Sequence, residues 1–130
     1  MVMLDTSIVI DHLRQFPEKS LLLKLLGKQR KESVCISILS IQELYEGKST
    51  RTVDREKDFL ATVGAFKILP YSYEIAKLAG EIARDLKHPI GFADAAIAAT
   101  AIINYAQLYT LNTKDFMKIK NLMLYKSETN

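Results

Sequence analysis

"VMLDTSIVIDHLR", residues 2–14, is the stretch on which the fold reading turns. "VMLD" (2–5) reads as a strand, its apolar residues without alternation, the pattern of a strand covered on both faces, as in a parallel sheet between helices. "SIVIDHLR" then reads as a short helix. The strand ends on Asp5, a carboxylate closing a buried run, with the hydroxyls of Thr6 and Ser7 directly behind it. In open sheets built from strand–helix repeats, sites gather beyond the carboxyl ends of the strands.

The rest of the chain continues the alternation. "PEKSLLLKLLGKQRK" (17–31) reads as a helix with Pro17 in its first turn and leucines on one face. "SVCIS" (33–37) is a β-branched second strand. "SIQELYEGK" (40–48) is helical, and a polar helix or loop covers 50–63. "FKILPY" (66–71) is a strand and "SYEIAKLAGEIARDL" (72–86) an amphipathic helix, after which Pro89 and Gly91 break the chain. "FADAAIAATAIINYA" (92–106) is an almost wholly apolar helix, hence buried on most sides. "LYTLN" (108–112) is a strand, "TKDFMKI" (113–119) a turn or two of helix, "LMLY" (122–125) a last strand, and "SETN" (127–130) a loose tail. The expected fold is α/β: a three-layer sandwich, one domain over residues 1–130, with a central parallel sheet and helices on both faces.

With 130 residues, nearly half of them hydrophobic and a quarter charged, the chain has the composition of a soluble globular domain. No signal peptide is expected, since Met1 to Leu4 is too short for one, and no stretch is long and apolar enough to span a membrane. The one cysteine, Cys35, reads as a small buried residue, which fits a reducing cytoplasm. A net charge of +3 is a mild lean toward anionic partners.

Three acids follow strands: Asp5, Glu43 one turn into the next helix, and Asp115 after "LYTLN". A fourth, Asp94, begins the apolar helix and is the only charged residue between His88 and Lys114. Nor is there a charge from Ser33 to Gln42, just before Glu43. Burying such carboxylates bare is costly. Each also has a plain structural reading. "SIQE" is a capping box with Ser40 as cap and Glu43 reaching back; Asp94 is an N-cap; Asp5 caps its helix or makes an Asx turn; Asp115 favours a helix start electrostatically. Taken together the caps do not explain why three acids follow strands while the most apolar helix carries another. A divalent cation would compensate all four. The donors in reach are oxygens, the carboxylates with the hydroxyls of Thr6 and Ser7 and the amide of Asn112, which suits Mg²⁺ or Mn²⁺ rather than Zn²⁺. His12 and His88 match no zinc spacing and read as surface or helix-end residues.

"LDTSIVID", "SILSIQELYEG", "ADAAIAATA" and "LYTLNTKDF", in that order, resemble the PIN-domain family, in particular the VapC-type toxins of prokaryotic toxin–antitoxin pairs. The resemblance covers nearly the whole chain. It implies Mg²⁺- or Mn²⁺-dependent cleavage of RNA to 5′-phosphate and 3′-hydroxyl ends, a homodimer, and inhibition by a small antitoxin, whose arginine could enter the acidic pocket. By position, Asp5, Glu43 and Asp94 match the family's three core metal-binding acids and Asp115 the fourth. Thr6 or Ser7 falls at the polar position after the first acid, and Thr110 with Asn112 in the pair that orients the acids. Leu111 departs from the basic residue common there, and Ser7 from the common Asn. Arg14, Lys48, Arg51 and Lys114 are the cations nominated for RNA phosphates. The stripe of Ile75, Leu78, Ala79, Ile82 and Leu86 reads as core packing, and Leu44 with Tyr45 as a possible second apolar surface for a dimer or antitoxin. The alternatives are a catalytically silent PIN scaffold that binds RNA or protein, and a receiver-like acidic-pocket domain. A receiver normally needs paired acids after the first strand, and a haloacid-type phosphatase needs Asp-x-Asp, where this chain has "DTS".

Overall fold

The structure, a computed structural model, describes residues 1–127. Four short strands form its sheet: β1 (Val2–Leu4), β2 (Val34–Ser37), β3 (Lys67–Leu69) and β4 (Gln107–Tyr109). They lie in the order β3-β2-β1-β4, every pairing parallel, with Leu4 opposite both Ile36 and Tyr109. The helices among the described residues are α1 (Thr6–Arg14), α2 (Leu21–Leu26), α3 (Ile38–Glu46), α4 (Val53–Val63), α5 (Tyr73–Asp85), α6 (Phe92–Ile103) and α7 (Thr113–Phe116).

The period of two along each strand assigns the layers. Val2, Leu4, Val34 and Ile36 point to one face, where Ile8, Val9, Leu22, Leu25, Leu44, Phe59 and Val63 of α1 to α4 cover them. Met3, Cys35 and Leu108 point to the other, against Ile97, Ala98 and Ala101 of α6 and Phe116 of α7. The alanines of α6 let α5 approach closely, and Ile75 and Ala79 pack on Ala95, Ala96 and Ala99. The result is the three-layer parallel sandwich expected from the alternation. The stripe on α5 is core, as expected: Ile75 and Ala79 are buried, and Leu78, Ile82 and Leu86 are partly so.

Four local expectations need correction. The leucine-rich helix does not start at Pro17. Residues 17–19 make a 3₁₀ turn, and Ser20 then caps α2 by accepting the Leu23 N–H at 3.2 Å. α2 stops at Gly27, so "GKQRK" lies beyond it. The capping box is not formed: α3 begins at Ile38 with Ser37 as its cap, which leaves Ser40 buried inside the helix. The last strand shrinks to one parallel bridge, Leu108 to Leu124, flanked by hydrogen bonds from Leu108 to the Met123 carbonyl and from Tyr125 to the Leu108 carbonyl, both at 2.8 Å. Leu44 is core and offers no outer surface. Tyr45 lies edge-on to Phe59 with its hydroxyl donating to Glu56 at 2.8 Å, so it joins α3 to α4. Of the tail "SETN", residues 128–130 lie outside the described residues.

Candidate functional site

Parallel strands all deliver their carboxyl ends to one edge. β1 ends at Leu4, and the next residue, Asp5, donates its backbone N–H to the Tyr109 carbonyl at 2.9 Å, which continues the ladder by one step. Asp5 occupies the N-cap position of α1, yet its side chain makes no cap bond. Its carboxylate turns the other way. Oδ2 accepts from Ser7 Oγ at 2.8 Å and from Thr110 Oγ1 at 2.7 Å. The direction of those two hydrogens is fixed from behind. Ser7 Oγ itself accepts the Leu111 N–H at 3.1 Å, and Thr110 Oγ1 accepts the Asn112 N–H at 2.9 Å. Backbone amides of the loop after β4 thus occupy a lone pair on each hydroxyl, and each hydroxyl's hydrogen is left for Asp5. Oδ2 is held twice, while Oδ1 has no hydrogen-bond partner among the described residues. Asp5 is nevertheless 3% exposed, so its free oxygen lies in a narrow opening.

Thr6 serves a different acid. Its Oγ1 stands 2.6 Å from Glu43 Oε1 and 2.8 Å from Ser40 Oγ. A hydroxyl has one hydrogen and an ionised carboxylate can only accept, so Thr6 donates to Glu43 and Ser40 donates to Thr6. A relay Ser40–Thr6–Glu43 therefore ties α3 to the start of α1. Ser40 is the residue that sequence reasoning missed. The signal was there, since it lies three positions before Glu43 and so on the same helix face, but "SIQE" drew it into a cap.

Asp94 sits in the first turn of α6, whose N-cap is Gly91, so the N-cap reading of Asp94 does not hold. Its carboxyl is pushed up to about 6, first by burial and then by the charges of Asp5, Glu43 and Asp115. Three residues remote in sequence act on it together, so the fold brings Asp5, Glu43 and Asp115 near enough to Asp94 for their charges to bear on it. Asp115 lies exposed in the first turn of α7, as the helix-start reading has it. With Asp94 it lines a cleft of about 400 Å³, whose other walls include His88, Gly91, Lys114 and Lys118. His88 is thus a surface residue that borders the acids. His12 is not near them: its Nδ1 pairs with Ser20 Oγ at 2.8 Å, and burial lowers its pKa against the pull of Asp11. Asn112 contributes through its backbone, not its amide. Of the nominated cations, Lys114 borders the acidic cleft, Arg14 and Lys48 meet in a separate cleft, and Arg51 lines neither.

The donors suit a hard divalent ion: carboxylate oxygens, with hydroxyls behind them and no sulfur or imidazole among the four acids. They are not yet clasped. Among the described residues no three His, Cys, Asp or Glu side chains are arranged to hold an ion as they stand. Asp5 is fixed by its hydroxyls and Glu43 is held by Thr6, so closing the set falls to rotamers of Asp94 and Asp115. Cys35, buried in the sheet, has its thiol pushed up to about 11 by burial and takes no part.

A strand-end acid held by hydroxyls, with two more acids that act with it on a half-buried fourth, on a parallel α/β sandwich, defines a class of acidic-centre α/β domains. A family model described as PIN domain matches residues 2–122. Ribonuclease VapC10 of Mycobacterium tuberculosis is 32% identical over 126 residues, which cover 94% of this chain and 90% of that one. Ribonuclease VapC2 of Rickettsia felis is 30% identical over 128 residues, 94% of each. The solved structure of VapBC2 from Rickettsia felis, bound to a DNA fragment from their promoter, matches with a TM-score of 0.80 and 29% identity, covering 98% of this chain and 100% of that one. The chain belongs to the PIN-domain family, among the VapC toxin ribonucleases of toxin–antitoxin systems. The receiver-like alternative falls with that assignment. No helix among the described residues is long and apolar enough to cross a membrane.

Proposed function

We propose that the chain is a divalent-metal-dependent endoribonuclease and the toxin of a toxin–antitoxin pair, with Asp5, Glu43, Asp94 and Asp115 as its metal-binding acids. The observation that carries this is the hold on Asp5. Two hydroxyls, each fixed by a backbone amide, grip one carboxylate oxygen and leave the other without a hydrogen-bond partner among the described residues, while Asp5, Glu43 and Asp115 all bear on Asp94. A cap or an Asx turn would use the carboxylate on the backbone; here it is kept off the backbone and oriented.

Asp5, Glu43, Asp94 and Asp115 would hold Mg²⁺ or Mn²⁺, which would supply a water of lowered pKa and offset negative charge on the phosphodiester. Ser7 and Thr110 keep Asp5 in one rotamer, and Thr6 with Ser40 does the same for Glu43. Lys114 and Lys118, on the cleft beside Asp94 and Asp115, attract the polyanion that the acids alone would repel. We also propose a small antitoxin partner, as in the VapBC2 complex of Rickettsia felis, a homodimer, as the family resemblance implies, and a cytoplasmic setting. The test is cleavage of single-stranded RNA across a Mn²⁺ series, with the chelated protein and Asp5→Asn as controls. Cleavage that needs Mn²⁺ and is lost in Asp5→Asn supports the reading. A chain that binds RNA but never cuts it at any metal concentration is the silent scaffold instead.

A further inference from the structure

The ends of α1 and α3 and the first half of α4 enclose a second cleft, of about 340 Å³, lined by Leu13, Arg14, Lys48, Ser49, Arg55 and Asp58. Three cations there face one carboxylate. None of the three makes an ion pair among the described residues. Their setting is built rather than loose. Arg55 Nη1 donates to the Lys48 carbonyl at 3.3 Å, and the Arg55 backbone N–H is capped by Thr52 Oγ1 at 3.2 Å. The same Lys48 carbonyl also receives the Arg51 N–H at 3.3 Å. These bonds hold the loop that carries Lys48 against the helix that carries Arg55.

The cleft has a fixed relation to the acids. α1 begins beside Asp5 and ends at Arg14, and α3 carries Glu43 and ends just before Lys48. The two helices are joined at the acidic end by Thr6 and Glu43. Nine residues of rise along α1 put Arg14 about 13 Å from Asp5. That exceeds the screening length of about 8 Å at physiological salt, so Arg14 does not pair with Asp5. They remain near enough for one flexible strand to touch both ends.

We propose that this cleft is a phosphate-binding subsite for the RNA strand, gripping a backbone phosphate away from the one held at the acids. Arg14 and Arg55 offer planar forks that match phosphate oxygens, Lys48 adds a point charge, and Ser49 a hydroxyl. The inference rests on RNA being the substrate, as proposed above, and adds Arg55 and Ser49 to the residues that meet it.

The experiment is binding of a twelve-nucleotide single-stranded RNA in EDTA, read by fluorescence anisotropy across a salt series. The variants are the pair Arg14→Ala with Arg55→Ala, and the control pair Arg30→Ala with Lys31→Ala, which removes the same charge elsewhere. All four side chains are exposed, and matching thermal melts confirm that folding is intact. Each lost phosphate contact lowers the salt slope by about 0.7, equivalent to about fourfold in affinity near 0.15 M salt. The first pair is therefore expected to bind about fifteenfold more weakly with a slope shallower by about 1.4, and the control pair to stay within about twofold of the parent. Equal weakening by both pairs would mean diffuse attraction and overturn the proposal. So would unchanged RNA affinity in the first pair, including the case in which that pair instead loses a glutamate-rich peptide that the parent binds. Because no metal is present, the result does not depend on catalysis. A protein that passes this test yet never cuts RNA with Mn²⁺ defeats the nuclease reading and leaves the subsite standing.

Discussion

Replacing Asp94 by Asn should make the metal-free protein more stable at neutral pH and no more stable in acid. In the folded chain Asp94 holds its proton up to about pH 6, against 3.8 for an unperturbed carboxyl, because burial and three neighbouring acids oppose its charge. Below about pH 4 both folded and unfolded states carry the proton, and the group makes no difference. Between about pH 4 and 6 the folded state binds the extra proton, so stability falls as pH rises, and above about pH 6 the full penalty remains. Two pH units correspond to about 3 kcal/mol as an upper limit. Asp94 is only half-buried, and solvent screening reduces this to about 1–1.5 kcal/mol. Asn resembles the neutral acid and escapes the penalty. For a chain of this size the melting temperature at pH 7.5 in EDTA should rise by roughly 4–6 °C, with little change at pH 4. Thermal melts of both proteins at the two pH values read the difference. A lower melting temperature for Asp94→Asn at pH 7.5, or an equal gain at both pH values, would refute the electrostatic argument and make Asp94 a structural residue.

Thr110→Val removes one donor to Asp5 and orphans the Asn112 N–H; we expect a loss of about 1–3 kcal/mol in stability from denaturant melts and about 10–100-fold in RNA cleavage. Thr6→Val should lower cleavage by freeing Glu43, and Thr6→Ser should restore it, since only the hydroxyl is needed; equal loss in both would point to packing. An arginine-bearing antitoxin segment that pairs with Asp5 or Asp94 should be displaced by Mn²⁺ and bind Asp94→Asn more weakly, measured by calorimetry across a Mn²⁺ series. Affinity indifferent to both would place its grip outside the acids.

The layers were legible in the sequence because the central strands β1 and β2, three and four residues long and buried throughout, are written as short runs without a charge. The same shortness hid their limits: "LMLY" has the composition of a strand, but its pairing is a single bridge, Leu124 opposite Leu108. α2 was misread for a tertiary reason. Asp11 of α1 accepts the Leu21 N–H at 3.1 Å and His12 pairs with Ser20, so contacts from another helix fix where the leucines begin to coil. Asp94 and Glu43 stood out by the lack of charge around them in the sequence, and the nearness of the four acids follows from parallel strands sharing one carboxyl edge. Which hydroxyl serves which acid could not be read. Thr6 and Ser7 are adjacent in sequence, yet one turns to Glu43, 37 positions away, and the other back to Asp5. Ser40 was hidden because Ser37, three residues earlier, competes for the same role as cap and takes it.

The central claim is that these acids hold a divalent ion, and Mn²⁺ binding itself tests it most directly. Free Mn²⁺ can be followed by electron paramagnetic resonance as protein is added, with no RNA present and no dependence on turnover. The account predicts saturable binding of one or two ions to the parent chain, at least tenfold weaker in Asp5→Asn and in Asp94→Asn while both variants remain folded. Binding that is unchanged by either substitution, or the absence of saturable binding to the parent chain, would contradict it.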